Sequence, residues 1–260
     1  MGSAGVAEAG EYLMAIGRQQ DEGFWASTKD TVKTLIYAVL IAMAFRTVLI
    51  EPFSIPSGSM KPTLLVNDYL FVTKYSYGYS RFSMPFSPPL WEGRILYNPP
   101  QRGDVAVFRK PNDNKTDYIK RIVGLPGDRI QVIGGILHIN GEAVKRALTV
   151  PWIEPGEPRH QQYVETLPNG RRHNILEFSD TQSNDNTEVY VVPEDHFFAM
   201  GDNRDNSQDS RFSDVGFVPL ENLIGRAEFV FFSHDGRVAW WEVWKWPGAI
   251  RWGRLFKSID

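Results

Sequence analysis

Residues 31–50 read T-V-K-T-L-I-Y-A-V-L-I-A-M-A-F-R-T-V-L-I, and this run limits the fold more than any other stretch. A helix needs roughly 20 mostly apolar residues to cross the hydrocarbon of a bilayer. Backbone groups in lipid find no water to bond, so a lone crossing segment must be helical. Lys33 and Arg46 interrupt the run toward its ends, where long basic side chains extend their charge into the headgroups. A buried helix of a soluble domain is the competing reading, and length with all-round apolarity favours the span. A cleaved signal peptide fits less well, because 30 residues precede the run and no small-residue cleavage site closes it. Arg18, Lys29 and Lys33 stand on the N-terminal side, and Lys61 is the first basic residue beyond. The positive-inside rule then makes 1–30 a cytoplasmic tail, 31–50 the transmembrane helix, and puts 51–260 on the outer face.

The rest of the chain must fold as one or two domains: it has 260 residues, 42% hydrophobic and 23% charged. Net charge is −3 without a Lys/Arg cluster, which argues against a nucleic-acid partner. The absence of Cys removes disulfides, thiol nucleophiles and thiolate metal sites. His138, His160, His173, His196 and His234 are scattered without ligand spacing, so neither a metal nor another cofactor is expected.

Beyond the span the pattern is mainly β. Leu70–Val72, Asp104–Phe108, Tyr118–Val123, Ile130–Ile133, Glu188–Val192 and Ala227–Ser233 read as strands. Gly134-Gly135 and Asn140-Gly141 mark tight turns. Residues 75–100 read as a long loop, and 151–187, polar and rich in Pro, Asn and Glu, as extended loops or a peripheral appendage. The expected plan is a catalytic β-domain over 51–125 and 196–260, interrupted by a β-hairpin and loop subdomain over 126–195. In the C-terminal tail, Trp240, Trp241, Trp244, Trp246 and Trp252 interleave with Lys245, Arg251, Arg254 and Lys257. Such a tail fits a lipid bilayer surface as well as it fits packing into a β core.

Three segments carry chemistry. Pro-Ser-Gly-Ser-Met-Lys-Pro-Thr at 56–63 places the Ser59 hydroxyl in a turn just past the apolar run. A serine is a poor nucleophile until a base takes its proton, and no His stands in a motif for that task. A lysine made neutral by burial is the other solution, and Lys120 in Tyr118–Val123 is the candidate. Alternation puts Lys120 and Arg121 on opposite faces, so one can enter an apolar site while the other meets a carboxylate. Two solvent-facing cations on an edge strand would look the same. The third segment, G-D-N-R-D-N-S-Q-D-S-R at 201–211, fails as a calcium loop, since Arg204 stands at the third position and no Gly or closing Glu follows. Its mixture of Asp, Arg, Asn and Ser suits a buried hydrogen-bonded network.

Together, E-P-F-S-I-P-S-G-S-M-K-P-T-L at 51–64, R-G-D-V-A-V-F at 102–108, Y-I-K-R-I-V-G-L-P-G-D at 118–128 and the 201–211 block resemble bacterial type I signal peptidase, a membrane serine protease with a Ser/Lys dyad. The resemblance runs from the span to about residue 230. It implies Ser59 as nucleophile and Lys120 as general base, with the Ser59 N–H and the Ser57 hydroxyl as oxyanion hole. It implies Ser207 as the residue orienting the lysine, and Arg121 with Asp202 and Asp209 with Arg211 as supporting ion pairs. Phe53, Ile55, Pro56, Val107, Tyr118 and Ile119 match positions lining the substrate pockets, though core packing would also explain the apolar ones. The implied substrates are exported preproteins, bound as an extended strand and cut after Ala-x-Ala. The implied location is the bacterial inner membrane, single-pass, with the catalytic domain on the periplasmic face. The chain departs from some members in having one span before Ser59 and in lacking Cys. Two other readings compete: a self-cleaving LexA-like regulator, against which the span and the missing helix-turn-helix speak, and a membrane-tethered β-domain that binds without catalysis.

Overall fold

The computed structural model describes residues 28–259 apart from 44, 45, 86, 90, 155 and 240. Most of the expected 1–30 tail, with Arg18, and Trp240 therefore lie outside the described residues. The chain divides between Arg46 and Thr47 into two units. In the first, helix α1 runs Thr28–Val48, long and apolar enough to cross a membrane, and none of its described side chains is buried. It begins three residues before the 31–50 run and yields at Ile50 to the first strand.

The second unit is built of antiparallel strands. Its main sheet holds β1 (Ile50–Ser54), β2 (Asp68–Thr73), β3 (Val105–Arg109) and β4 (Asp117–Gly124). A second group, β5 (Arg129–Ile133), β6 (Ile136–Ile139) and β7 (Glu142–Ala143), follows, and then β8 (Lys145–Leu148), β9 (Gln161–Thr166) and β10 (Arg172–Glu177). The chain finishes with β11 (Tyr190–Val191), β12 (His196–Met200), β13 (Val218–Pro219), β14 (Leu223–Ser233) and β15 (Lys257–Ser258). The main sheet runs β1-β2-β14-β3-β4-β12-β13, with β15 on β14; β11-β5-β6-β7 and β10-β9-β8 are separate sheets.

The main sheet is covered on both faces, which is why Val-Ala-Val-Phe of β3 is one unbroken apolar run. Val105 and Val107 join Ile55, Met60, Leu64, Leu70 and Val230 in one cluster. Ala106 and Phe108 join Ile122, Phe197, Ala199 and Leu223 in another. A third cluster, including Ile130, Leu137 and Phe198, fills the β5–β6 side.

The stretch expected as extended loops or a peripheral appendage is partly built of strands. The 151–187 stretch contains the hairpin β9–β10, paired from Gln161↔Glu177 to Thr166↔Arg172. Apolar alternation fails to reveal it because Glu165, His173 and Glu177 occupy buried positions where apolar residues ordinarily stand. In the C-terminal tail, Trp241, Trp244 and Trp252 are 61%, 71% and 61% exposed, while Trp246 stacks on Phe232 and His234. Arg254 turns inward onto Asp68.

Candidate active site

Ser59 lies on the connection between β1 and β2. Ile55 and Asn67 close that connection, with Ile55 N–H donating to Asp68 O at 2.9 Å and Asn67 N–H to Ile55 O at 2.9 Å. Lys61 N–H bonds Gly58 O at 3.1 Å and Leu64 N–H bonds Met60 O at 2.9 Å, so the chain turns tightly just past the serine. Met60 and Leu64 are fully buried and anchor the turn in the core. Ser59 is left 8% exposed, and Ser57 Oγ stands 3.4 Å from Ser59 Oγ.

Lys120 comes from β4, held between β3 (Ala106↔Lys120) and β12 (Met200↔Arg121). Its Nζ donates to Ser59 Oγ at 2.5 Å and lies 5.4 Å from the Tyr118 ring centre. Burial pushes the Lys120 amine down from 10.5 to about 8; the nearby Asp209 and Asp202 offset part of that push, and Arg211 adds to it. At mild alkaline pH a large share of this amine is neutral and can accept a proton.

Arg121, next in sequence, points to the opposite face. Its Nε and Nη2 meet the two Asp202 oxygens at 2.8 Å each, and Nη1 donates to Gly103 O at 2.7 Å. Thr63 Oγ1 donates to the same carboxylate at 2.5 Å. Burial favours the neutral acid at Asp202, but the Arg121 guanidinium outweighs it and holds the carboxyl below its ordinary range. Asp209 is held low in the same way: burial raises it, and Arg211, at 2.9 Å through both Nε and Nη2, outweighs that. The Ser207 hydroxyl is buried beside Asp209, whose carboxyl it helps hold low, and no bond joins it to the Lys120 amine here.

The 201–211 loop also grips the turn that carries Ser59 through residues to which the sequence assigned no role. Asn203 donates its N–H to Ser59 O at 3.0 Å and its side-chain amide to Gly58 O at 3.1 Å. Gly201 packs so closely that an added Cβ would stand 2.2 Å from Ser207 Oγ and 2.6 Å from Ser59 O. Both lie inside the quoted block, which is the signal that could have found them. Lys61 is buried and held by Glu154 at 2.7 Å and Glu157 at 2.8 Å, a latch invisible to sequence pattern.

The six expected pocket residues are not all together. Phe53, Ile55, Val107 and Ile119 share one apolar cluster. Pro56 is exposed beside it, and Tyr118 sits in the neighbouring cluster on the Lys120 face of β4.

The model of the family described as signal peptidase, peptidase S26, matches residues 28–232. A protein of Rickettsia typhi named Signal peptidase I is 42% identical over 255 residues, covering 89% of this chain and 96% of that protein. Its namesake in Rickettsia canadensis is 41% identical over 252 residues, 90% of this chain and 94% of that protein. A solved signal peptidase I from Enterococcus faecalis V583 is 25% identical, covers 50% of this chain and 97% of that one, and has a TM-score of 0.30, too low for its shape to add to the sequence match.

Proposed function

Because this chain belongs to the signal peptidase family, peptidase S26, we propose that it is a membrane-anchored serine endopeptidase that removes N-terminal signal peptides from exported preproteins. Ser59 is the nucleophile and Lys120 the general base. The contact that supports this most directly is the 2.5 Å approach of Lys120 Nζ to Ser59 Oγ, with the amine buried and its pKa brought down to about 8.

Neutral Lys120 takes the hydroxyl proton as Ser59 Oγ bonds to the scissile carbonyl carbon. The carbonyl oxygen becomes an oxyanion, received by the Ser59 N–H and the Ser57 hydroxyl, donors each worth a few kcal/mol in such sites. When the tetrahedral adduct collapses, the C–N bond breaks and Lys120 delivers its proton to the departing amine. Lys120, neutral again, then takes a proton from water as the water oxygen attacks the acyl-enzyme. Breakdown of that second adduct releases the signal peptide carboxylate and returns the proton to Ser59.

Arg121–Asp202 holds the 201–211 loop against β4, Asp209–Arg211 braces the loop internally, and Ser207 orients the amine once substrate fills the site. Phe53, Ile55, Pro56, Val107, Tyr118 and Ile119 shape shallow pockets that admit Ala at the −1 and −3 positions. Residues 1–30 form a cytoplasmic tail, α1 spans the bacterial inner membrane once, and the catalytic domain, 51–125 and 196–260, works on the periplasmic face. Residues 126–195 form its inserted subdomain, and the exposed Trp241, Trp244 and Trp252 meet the bilayer surface. The test is cleavage of a purified preprotein with an Ala-x-Ala site: wild type cuts it, and Ser59→Ala and Lys120→Ala leave it whole while staying folded. Near-normal processing by either variant overturns the assignment.

A further inference from the structure

Below the 201–211 loop lies a second set of buried charges with no part in the dyad. Glu165 is on β9, the middle strand of its sheet, 1% exposed and paired in register with His173 of β10. Its oxygens receive Arg204 Nη1 at 3.0 Å and Nη2 at 2.6 Å, a two-pronged contact between the inserted sheet and the catalytic loop. His173 Nε2 stands 3.2 Å from Glu165 and 4.0 Å from Asp202. Burial and Arg121 both hold His173 below its ordinary range, against the opposing pull of Glu165 and Asp202.

Arg204 passes this contact onward. Its Nε donates to Gly201 O at 3.2 Å, and its own carbonyl receives Arg211 Nη2 at 2.5 Å. Gly201 is the residue packed against Ser59 O and Ser207, and the neighbouring Asn203 holds Gly58 and Ser59 by their carbonyls. Two more bonds fix the same loop to the end of β10: Leu176 N–H to Asp202 O at 2.8 Å and Phe178 N–H to Asp205 Oδ2 at 2.6 Å. A buried ion pair generally stabilises a fold no better than apolar side chains of like volume, and its best-attested use is to fix register. Its location, one residue chain away from the nucleophile turn, is where direction matters.

We propose that Glu165 is a positioning residue for the cleavage reaction, acting through Arg204 and the 201–204 backbone on the turn that carries Ser59. The inserted sheet is then a working part of the active site. This rests on the Ser/Lys peptidase reading above.

The experiment uses the full-length chain in detergent micelles, a preprotein with an Ala-x-Ala site as probe, and hydrogen exchange at single amides. Glu165→Gln keeps the shape and removes the charge; Glu165→Asp keeps the charge and withdraws it by one methylene. In Glu165→Gln, exchange at the Asn203 and Lys61 amides is expected to speed at least tenfold, and kcat to fall at least tenfold with KM within twofold. The β5–β6 amides keep their wild-type rates, and Glu165→Asp falls between the two. Unchanged Asn203 exchange overturns the proposal, as does faster exchange with wild-type kcat, or a kcat loss accompanied by loosening of β5–β6. If Glu165→Gln does not fold, Glu165→Asp decides on the same readings. Should wild type itself leave the preprotein uncut, the peptidase reading falls and the positioning role with it; should wild type cut and both Glu165 variants match it, the positioning role alone falls.

Discussion

Asp202 and Arg121 face each other through two parallel contacts of 2.8 Å, each residue only 1% exposed. A charge stripped of such a partner stays buried and uncompensated, at a cost of about 3–5 kcal/mol. Asp202→Ala is expected to lose that much stability in urea titration. The joint change Arg121→Met with Asp202→Leu should regain most of it, since neither charge is left behind, yet regain little activity. Full recovery of kcat in the double variant would show the pair to be dispensable for the reaction.

The pH dependence follows from Lys120. Its amine must be neutral to accept the Ser59 proton, and its pKa stands near 8 against an ordinary 10.5. If Lys120 is the base, kcat/KM is therefore expected to climb about tenfold per pH unit below 8 and to level off above it. A profile flat from pH 6 to 10 in a preprotein assay contradicts the assignment of the base.

The same shift has a stability consequence of definite sign. A lysine whose pKa is lowered on folding binds its proton more weakly in the folded than in the unfolded chain. Below pH 8 both states are protonated and the folded state bears the full penalty; between about 8 and 10.5 the penalty fades and stability rises with pH. At 1.36 kcal/mol per pH unit the penalty is on the order of 3 kcal/mol. Lys120→Met should therefore be inactive and, at pH 7, more stable than wild type, by about 1–3 kcal/mol in chemical denaturation. A less stable Lys120→Met at pH 7 would refute the buried-charge account.

Gly201→Ala tests the closeness of the loop to the nucleophile. The new Cβ would meet Ser207 Cβ at 2.4 Å and Ser59 O at 2.6 Å, so backbone must move. A shift of about 1 Å at a reacting group can cost about a hundredfold in rate. The expected result is a kcat loss of that order with substrate affinity largely kept, and wild-type kcat would mean the turn tolerates displacement.

Much of this site was legible because its parts are short, dense and ordered in the chain. Ser59, Lys120 and the 201–211 block each announce themselves by residue type, and Arg121 could be placed opposite Lys120 by strand alternation alone. What escaped notice is of another kind. The hairpin β9–β10 buries Glu165, His173 and Glu177, so hydrophobic periodicity, the usual signal of a strand, is reversed there. Lys61 reads as a solvated cation after a turn until Glu154 and Glu157 are brought to it across 93 and 96 positions of chain. Asn203 was read as one polar residue among many, because its two bonds to residues 58 and 59 exist only in three dimensions.

The pairing of β4 with β12 ties the surroundings of Lys120 to a distant part of the chain. The chain leaves the sheet at Gly124 and returns at His196, so the strand beside Lys120 is completed only after residues 125–195 have been threaded through two further sheets. Long-range closures of this sort come late in folding, because the loop must be ordered before its contacts compensate. Burial of Lys120 against Ser59 therefore depends on a strand that the chain reaches only after the whole 125–195 stretch.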